Sequence, residues 1–517
     1  MENSGGVADL VERLRRHAGG VASARREATV VVMCFGAMMS FLQITTSATA
    51  LSAMQDDLGV GPATLVWIPS AYTLPLAALV LTASTLGNRY GRRRLFVAGA
   101  LVMIAGSGVL ILGGSLGTAV TGELLAGVGG AFILPNSLAI LGDAFTDPHR
   151  RTEVITMWAA SSGIGLAIGP VVAGVLLDHA SWHAVFLPTV VLGLATVIGA
   201  GVWVPESRGA AGRLDLPGAA LGTLALAAPV YAVIEGANAG ATSPRVLIAA
   251  AVTVLAAVAF VVVEVRSPAP MLELGLFRSR SFVAVLAVAA VALFGFTGIA
   301  IVQALFFQRV QGLSALHMGY RLLVLFGSYI VVAALAGRLV RRLGFKAPMA
   351  GGLALAGLAC LALLTQHPAT AFASVWPYFA LFGGGCGLVV SPSTAAALVS
   401  VAPDRVGAAS GIVNTARQLG SVLGSALLGA LLAERLTATL PDRLARHDVP
   451  PPLRELVTTA VAEGRTGDQA LPAGVRAAIG EAFVSGVDAT LVVTAAVFIA
   501  GAVIVVAFVR NRPHEDN

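Results

Sequence analysis

Leu86-Gly87-Asn88-Arg89-Tyr90-Gly91-Arg92-Arg93-Arg94 separates two long stretches of the chain that carry no charge. Residues 58–88 and 95–122 contain no Asp, Glu, Lys or Arg, and each exceeds the roughly 20 apolar residues that a transmembrane helix needs. Lys and Arg in short loops between such helices remain on the cytoplasmic side of the membrane. The four arginines therefore predict a tight cytoplasmic loop between two transmembrane helices, and they set the orientation of the chain.

The composition of the 517 residues is that of a membrane protein. Hydrophobic residues make up 57% of the chain and charged residues 12%, which is half of the roughly 25% found in soluble domains. The 59 glycines suit helices that pack closely within a bilayer. The net charge of +6 does not indicate a nucleic-acid partner, because the arginines lie in loops between spans. We therefore expect an all-α polytopic membrane protein.

Several kinds of chemistry lack a signature in the sequence. The cysteines Cys34, Cys360 and Cys386 lie in apolar stretches without the spacing of a metal site. The only lysine, Lys346, precedes Ala347 instead of the Ser or Thr of a phosphate-binding loop. No nucleophile–base pattern or cofactor motif stands out. Without a phosphate-binding loop, the chain cannot hydrolyse ATP through one, so any energy that it uses must come from an ion gradient, the substrate gradient or a partner. We also expect no catalytic residues, cofactor or metal.

Apolar stretches of membrane length predict fourteen transmembrane helices. They cover residues 29–51, 65–86, 95–115, 119–141, 154–176, 184–204, 216–234, 246–263, 282–307, 320–337, 347–365, 374–396, 406–432 and 487–509. An even number places both termini on one side of the membrane, and only a cytoplasmic N-terminus keeps the arginine cluster inside. The sequence thus predicts a multi-pass protein of the inner (plasma) membrane, with cytoplasmic tails at residues 1–28 and 510–517.

Residues 433–485 do not fit the pattern of a span. They combine Pro441 and the run Pro450-Pro451-Pro452 with many charged residues. We predict a large extracytoplasmic loop at this place. It either gates the outer mouth of the protein or only connects the last two spans.

The two halves of the chain repeat each other. Three residues of the arginine loop recur at an offset of 253, where Leu86, Arg89 and Gly91 match Leu339, Arg342 and Gly344. Three glycines recur at an offset of 255, where Gly165, Gly169 and Gly174 match Gly420, Gly424 and Gly429. Because eight spans fit within this offset, two six-helix bundles and a two-helix insert account for all fourteen. The predicted bundles are residues 29–204 and 282–509, with the insert at residues 205–281. Such repeats imply alternating access to a site near the bilayer midplane.

With these motifs in place, the chain resembles the 14-span drug:proton antiporter family of the major facilitator superfamily. Five motifs carry the resemblance, in order and over nearly all of residues 29–509. Residues 88–94 are similar to the first loop motif of the family, and residues 165–174 resemble its fifth-span antiporter motif. The other three are residues 205–218 and 270–278, which resemble the two ends of the insert, and residues 414–420, which resemble the thirteenth span.

The resemblance implies a major facilitator fold and a secondary active transporter that exports amphipathic small molecules. Drugs, antibiotics and related toxic compounds would be its substrates, and an inward flow of protons would drive it. The expected partners are a small-molecule solute, amphipathic or cationic, together with protons and the lipid bilayer, and the expected state is a monomer. Two alternatives stay open: a lipid or secondary-metabolite exporter with altered or no proton coupling, and a transport-inactive membrane sensor.

Departures from the family pattern mark this chain as a divergent member. Gln43 stands where the family has an Asp in the first span, and Glu123 stands where it has an Arg in the fourth. Both positions lie toward the outer side, so the two antiparallel spans bring them to similar depth. We hypothesise that the acid has moved from the first span to the fourth and that Glu123 couples transport to protons, because a carboxylate inside a membrane is costly and usually functional. Alternatively, Glu123 lies near the headgroups or bonds a neighbouring helix.

Amide, hydroxyl and aromatic side chains within the spans are the candidates for the substrate cavity. They suit a bulky, apolar, cationic solute. The candidates are Gln43, Thr46, Trp67, Tyr72, Asn136, Phe294, Gln303, Asn414 and Arg417. For Trp67 and Tyr72 the alternative is an interfacial or packing role, and for Arg417 it is a gate held by helix-end carbonyls.

Two further groups serve movement and not binding. Asn88, Arg89, Gly91 and Arg92 are the candidates for a cytoplasmic gate loop, in which Asn88 replaces the family's Asp. In the fifth span, we predict that Gly165, Gly169 and Gly174 form one flat stripe for close helix contact and that Pro170 bends the helix.

Overall fold

A computed structural model describes residues 4–65, 67–145, 147–209, 216–240, 242–267, 274–399, 406–462 and 471–509. The predicted tail 510–517 and the insert ends at residues 210–215 and 268–273 lie outside this range. The described part consists of helices without strands. In chain order they are α1 Ser4–Leu58, α2 Pro62–Leu65, α3 Trp67–Tyr90, α4 Arg92–Leu112, α5 Leu116–Ala144, α6 Pro148–His179, α7 Leu187–Trp203, α8 Leu216–Ala239, α9 Pro244–Arg266, α10 Arg280–Leu305, α11 Ala315–Leu343, α12 Lys346–Leu363, α13 Phe372–Val399, α14 Val406–Arg446, α15 Pro451–Ala462 and α16 Ala473–Phe508.

The predicted number of fourteen spans is not confirmed. Within the described part of the chain, twelve helices are long and apolar enough to cross a bilayer. A thirteenth is α3, if its segments Trp67–Val80 and Thr82–Tyr90, which meet at an angle of 55°, form one span. Helix α8 contains only a shorter apolar stretch, Ala220–Val233. All fourteen predicted segments nevertheless overlap described helices.

The helices pack into two groups around two apolar cores. In the first half, α4 packs on α5, α1 packs on α6 and α7, and α3 packs on α5. In the second half, α10 packs on α14, α11 on α13, and α12 and α14 on α16. We call these groups the N-terminal and the C-terminal bundle. They meet where α6 contacts α11 and α3 contacts α14. Helix α8 lies against α3 and α14, and α9 packs on α8.

The segment that the sequence predicts as a loop, residues 433–485, is largely helical in its described parts. Helix α14 continues to Arg446, α15 follows, and α16 begins at Ala473. Apolar side chains one helical turn apart, such as Leu440 and Leu444, are buried and continue the core of the C-terminal bundle. The prolines and charges obscured this periodicity. Across the segment, Glu481 bonds Arg443 at 3.1 Å and His447 at 3.0 Å.

The glycines of α6 face two different helices, so the prediction of a single stripe is wrong for Gly174. A methyl group on Gly165 would collide with the Met38 carbonyl oxygen of α1. Gly169 also faces α1, at Thr45, whereas Gly174 meets Leu316 of α11. The reason is geometric, because nine residues at 3.6 per turn carry Gly174 half a turn away from Gly165. The helix thus packs within its own bundle and against the other bundle.

Candidate functional site

Glu123, the candidate proton-coupling residue, lies in a buried chain of polar side chains in the N-terminal bundle. Its Oε2 accepts a hydrogen bond from Gln43 Nε2 of α1 at 3.2 Å. Gln43 Oε1 in turn accepts one from the Thr189 hydroxyl of α7 at 3.0 Å. All three side chains are fully buried. The predicted meeting of Gln43 and Glu123 at one depth is therefore found, and Glu123 does bond a neighbouring helix.

The second carboxylate oxygen of Glu123 has different surroundings. Oε1 is buried and has no hydrogen-bond partner among the described residues. The Ser47 hydroxyl of α1 lies beside the carboxylate but outside hydrogen-bond geometry. The Tyr72 hydroxyl is also close, yet it donates its proton to the Ser40 carbonyl at 2.6 Å. Within the described part of the chain, one carboxylate oxygen is thus hydrogen-bonded and the other is not.

A cavity of about 130 Å³ lies between the two bundles. Its walls come from α1, α3 and α6 on one side and from α10, α11, α13 and α14 on the other. The described lining residues are Phe41, Ile44, Thr45, Ser47, Ala48, Pro69, Tyr72, Thr73, Leu166, Leu293, Phe296, Thr297, Ala300, Ile301, Phe326, Tyr329, Val390, Asn414, Arg417, Gln418, Ser421 and Ser425. Typical ligand pockets measure about 300–1,000 Å³, so a bulky solute fits only after the bundles move apart.

Three of the nine predicted cavity residues, Tyr72, Asn414 and Arg417, line this space. The Thr46 hydroxyl bonds the Leu42 carbonyl of its own helix at 2.9 Å, and Gln43 belongs to the Glu123 chain. The other four pack elsewhere. Trp67 packs against Tyr231 of α8 with ring centroids 5.8 Å apart, and Asn136 donates to the Phe132 carbonyl at 2.8 Å. Gln303 donates to Gln366 at 3.2 Å, and the backbone carbonyl of Phe294 lies against Gly424.

Sequence reasoning missed an aromatic wall and a polar stripe. Phe296 of α10 packs against Tyr329 of α11 with ring centroids 4.6 Å apart. On α14, Gln418, Ser421 and Ser425 line the cavity together with two predicted residues. Positions 414, 417, 418, 421 and 425 recur at helical spacing, so their common face was readable from the sequence. The aromatic residues carried no such signal, because phenylalanines occur throughout the apolar helices.

Arg417 reaches from α14 to α13. Its Nη2 bonds the Val390 carbonyl, the Ser393 hydroxyl at 3.1 Å and the Thr394 hydroxyl. Its Nε is buried and has no partner among the described residues. Arg417 thus contacts a helix carbonyl, as expected of a gate residue, and it also lines the cavity, as expected of a substrate-binding residue.

The candidate cytoplasmic gate loop is tied to its own bundle. Asn88 Oδ1 accepts hydrogen bonds from Arg92 Nε at 3.0 Å and Nη2 at 2.8 Å. Arg92 Nη1 bonds the Ala139 carbonyl at 3.2 Å and pairs with Asp143 of α5. Arg89 is exposed, with its guanidinium 5.5 Å from the centre of the Tyr90 ring. The side-chain hydrogen bonds of Arg92 therefore stay within the N-terminal bundle, while its backbone N–H donates to the Ser207 carbonyl at 2.9 Å.

Glu206 is a loop partner that sequence reasoning missed. It accepts a hydrogen bond from the Arg93 backbone N–H at 3.0 Å and lies 3.7 Å from Arg94 Nε. Gly91 has φ of +116°, and a methyl group there would lie 2.7 Å from the Glu206 carboxylate. The carboxylate sits near the positive N-terminus of α4, where a negative charge is favourable. The Gly91 position thus requires a residue without a side chain.

Polar contacts also join the two bundles near the end of α1. Arg309 pairs with Asp56 at 2.7 Å and donates to the Ser52 carbonyl at 2.8 Å and to Gln55 Oε1 at 3.1 Å. Gln308 donates to the Thr49 carbonyl at 3.1 Å. We call this group the outer latch, because the predicted orientation places it on the extracytoplasmic side. It holds α1 of one bundle to the short π-helical turn Phe306–Val310 that follows α10 of the other.

Comparison with known proteins agrees with this architecture. Residues 33–425 match the model of the Major Facilitator Superfamily. The chain is 32% identical to multidrug resistance protein Stp of Mycobacterium tuberculosis over 435 residues, which are 84% of this chain and 80% of that protein. It is also 32% identical to the tetracenomycin C resistance and export protein of Streptomyces glaucescens over 426 residues, which are 82% of this chain and 79% of that one.

Solved structures share the fold at low sequence identity. A bacterial homologue of the human lysosomal transporter Spinster, in an inward-facing and unoccupied conformation, superposes with a TM-score of 0.64 at 14% identity. The alignment covers 95% of this chain and 99% of the other. The chain belongs to the Major Facilitator Superfamily. It is a membrane transporter with two helical bundles around an interbundle cavity.

Proposed function

We propose that the protein exports amphipathic small molecules, including drugs or antibiotics, in exchange for protons. The observation that carries the proposal is the interbundle cavity, which is lined mostly by apolar and aromatic side chains and adjoins the buried Glu123 carboxylate. The printed names of the related proteins, which describe multidrug resistance and antibiotic export, support the same function. The fifth-span motif on α6 supports export over import.

Proton coupling is assigned to Glu123. Its Oε1 has no hydrogen-bond partner in the described part of the chain, and Ser47 lies both beside this carboxylate and on the cavity wall. A buried carboxylate without a cation is costly in the ionised form and accepts a proton readily. Ser47 lies one helical turn from Gln43 on α1, and Gln43 bonds Glu123. A movement of the cavity side of α1 therefore shifts the surroundings of the Glu123 carboxylate. The absence of the family's first-span acid favours a second candidate, an exporter of lipids or secondary metabolites without proton coupling.

For the membrane topology, we propose the arrangement that the sequence predicts. We assign fourteen spans, with α3 as one bent span and α8–α9 as the two spans of the insert at residues 205–281. The packing of α8 against α3 and α14, with α9 on α8, supports a position beside the six-helix bundles at 29–204 and 282–509. Both termini lie in the cytoplasm, and the membrane is the inner (plasma) membrane. The protein functions as a monomer, since each bundle contributes one wall of the cavity within a single chain.

The test is proton movement in inverted membrane vesicles whose lumen has been acidified. Rhodamine 6G, a cationic xanthene dye, and fluorescein, an anionic one, are offered separately. We expect at least one dye to release protons from the lumen with the native protein. Glu123→Gln, which preserves the size and hydrogen bonds of the side chain, is expected to abolish the release. The matched control is Glu235→Gln, because Glu235 pairs with Arg245 at 3.0 Å on the insert helices.

The outcomes separate the candidates. Dye uptake without proton release by the native protein would contradict antiport and favour the uncoupled exporter. Equal proton release by native protein and Glu123→Gln, at equal abundance in the membrane, would remove Glu123 from the mechanism. A native protein that moves neither dye nor protons would contradict the export of amphipathic dyes and support the sensor alternative.

A further inference from the structure

The charge of the interbundle cavity is positive. Among its described lining residues, Arg417 is the one side chain with a formal charge, and neither Asp nor Glu lines the space. Glu123 is not among these residues, since Ser47 and Tyr72 form the wall at that place. A carboxylate that would balance a bound cation is therefore absent from the described wall.

Arg417 is fixed in position without being neutralised. The three oxygen atoms of α13 hold its Nη2, and all three are uncharged acceptors. No carboxylate in the described part of the chain forms an ion pair with it, and its Nε remains without a partner. Guanidinium groups stay protonated in proteins, and an unpaired buried charge is costly. The site is thus prepared for an anionic partner that the protein itself does not supply.

The surroundings of Arg417 fit an aromatic solute. Tyr329 lies close to the guanidinium and packs against Phe296, which contacts Phe326 at a centroid distance of 5.6 Å. Phe41 and Ile44 form the opposite wall on α1. Aromatic side chains bind flat apolar groups by offset or edge-to-face contact. A solute can therefore place an aromatic body between the bundles and an acidic group against Arg417.

We propose that Arg417 is the residue that recognises charge in this cavity, and that the preferred solutes are aromatic amphipaths with an acidic group, such as a carboxylate or a phenolate. This inference rests on the proposed export function and names its substrate class. It differs from the cationic solute that the sequence predicts. A cation in the cavity would face Arg417 as a like charge in a site of low dielectric, where repulsion is strong.

Binding of the two xanthene dyes to the purified protein in lipid nanodiscs tests the inference, with fluorescence anisotropy as the readout. We expect the native protein to bind fluorescein more tightly than rhodamine 6G. In Arg417→Gln, fluorescein affinity is expected to fall by about tenfold or more, because a charge-assisted hydrogen bond is lost, while rhodamine 6G binds equally or better. Arg417→Lys keeps the charge and is expected to keep the preference. Arg245→Gln, on the insert, is the matched control.

The ratio of the two affinities decides the question. A native protein that prefers rhodamine 6G or binds neither dye overturns the inference, and so does a ratio that Arg417→Gln leaves unchanged. If Arg417→Gln loses the affinity for both dyes through damage to the fold, Arg417→Lys decides, since a preference lost with the charge retained also contradicts the inference. The vesicle assay reports export separately, so proton release with either dye keeps the proposed function even where the charge preference fails.

Discussion

Glu123 has one carboxylate oxygen with a hydrogen bond and one without a partner among the described residues. This asymmetry suits the proton binding and release that we propose for the residue. The bonded Oε2 orients the side chain through Gln43, and Thr189 fixes the amide of Gln43 in turn. In the proposed coupling, the proton binds to Oε1, which has no hydrogen-bond partner among the described residues. In a polar chain of this kind each member orients the next. Because the side chains of residues 43 and 123 touch, we expect a carboxylate at either position, on α1 or on α5, to serve the same role at the same depth.

An exchange of the two residues tests this reasoning at the level of single side chains. Glu123→Gln alone is expected to lower dye-driven proton release by about tenfold or more, because no titrating group remains. Adding Gln43→Glu returns a carboxylate to the same hydrogen-bonded pair and is expected to restore part of the release. Proton release in inverted vesicles, at equal protein abundance, is the measurement. A double variant as inactive as Glu123→Gln would show that the acid has to lie on α5.

Sequence patterns locate residues by depth more reliably than by direction. The Gln43–Glu123 contact was predictable because helices rise by a constant 1.5 Å per residue. The partners of Gln303 and Asn136 were not, since an amide in an apolar helix is satisfied equally by a cavity or by a neighbouring helix. Gln303 found Gln366, and only the packing of α10 determines that choice. The cavity itself arises where two bundles meet, and no local pattern describes that surface.

At the level of elements, α6 and α11 form a close contact between the bundles. A methyl group on Gly319 of α11 would lie 2.6 Å from the Pro170 carbonyl oxygen of α6. Gly163 of α6 faces Ile330 of α11 further along the same contact. Small residues allow this approach in the membrane, where packing takes the place of the hydrophobic effect as the driving force. The contact is therefore expected to weaken when a side chain is added.

Gly319→Val is expected to separate α6 from α11 and to favour opening near the outer latch. Overpacking costs about 1–3 kcal/mol, enough to shift a two-state population by roughly 5- to 150-fold. The measurement is the labelling rate of Thr49→Cys, a buried position within the latch, by a membrane-impermeant maleimide. The matched control is Gly327→Val on the same helix, where an added methyl group would meet no atom within 4 Å. Equal labelling in both variants would argue against the α6–α11 contact as part of the gate.

At the scale of the whole molecule, the proposed proton site and the cavity arginine lie in different bundles. The proton site lies on α1, α5 and α7 of the N-terminal bundle, whereas Arg417 and its supports lie on α13 and α14 of the C-terminal bundle. Helix α1 connects the two, because Ser47 touches both the carboxylate and the cavity and α1 also carries Ser52 and Asp56 of the outer latch. A movement of α1 against α10 therefore acts on the proton site, the cavity and the latch together.

The sign of the solute charge determines how a membrane voltage changes the rate of transport, because the proton and the solute cross the membrane in opposite directions. With one proton exchanged per solute, export of a singly charged anion moves two charges in the same electrical sense, and export of a doubly charged anion, such as fluorescein near neutral pH, moves three. Export of a singly charged cation moves none in sum. Each charge is worth about 2.3 kcal/mol per 100 mV, so anion export gains about 4.6 to 6.9 kcal/mol from a potential of that size. In inverted vesicles, a lumen-positive potential set by potassium and valinomycin, without a pH gradient, is expected to accelerate fluorescein uptake and to leave carrier-dependent rhodamine 6G uptake unchanged. Vesicles with Glu123→Gln provide the background rate for each dye. Fluorescein uptake that does not respond to the potential would contradict proton exchange with an anionic solute.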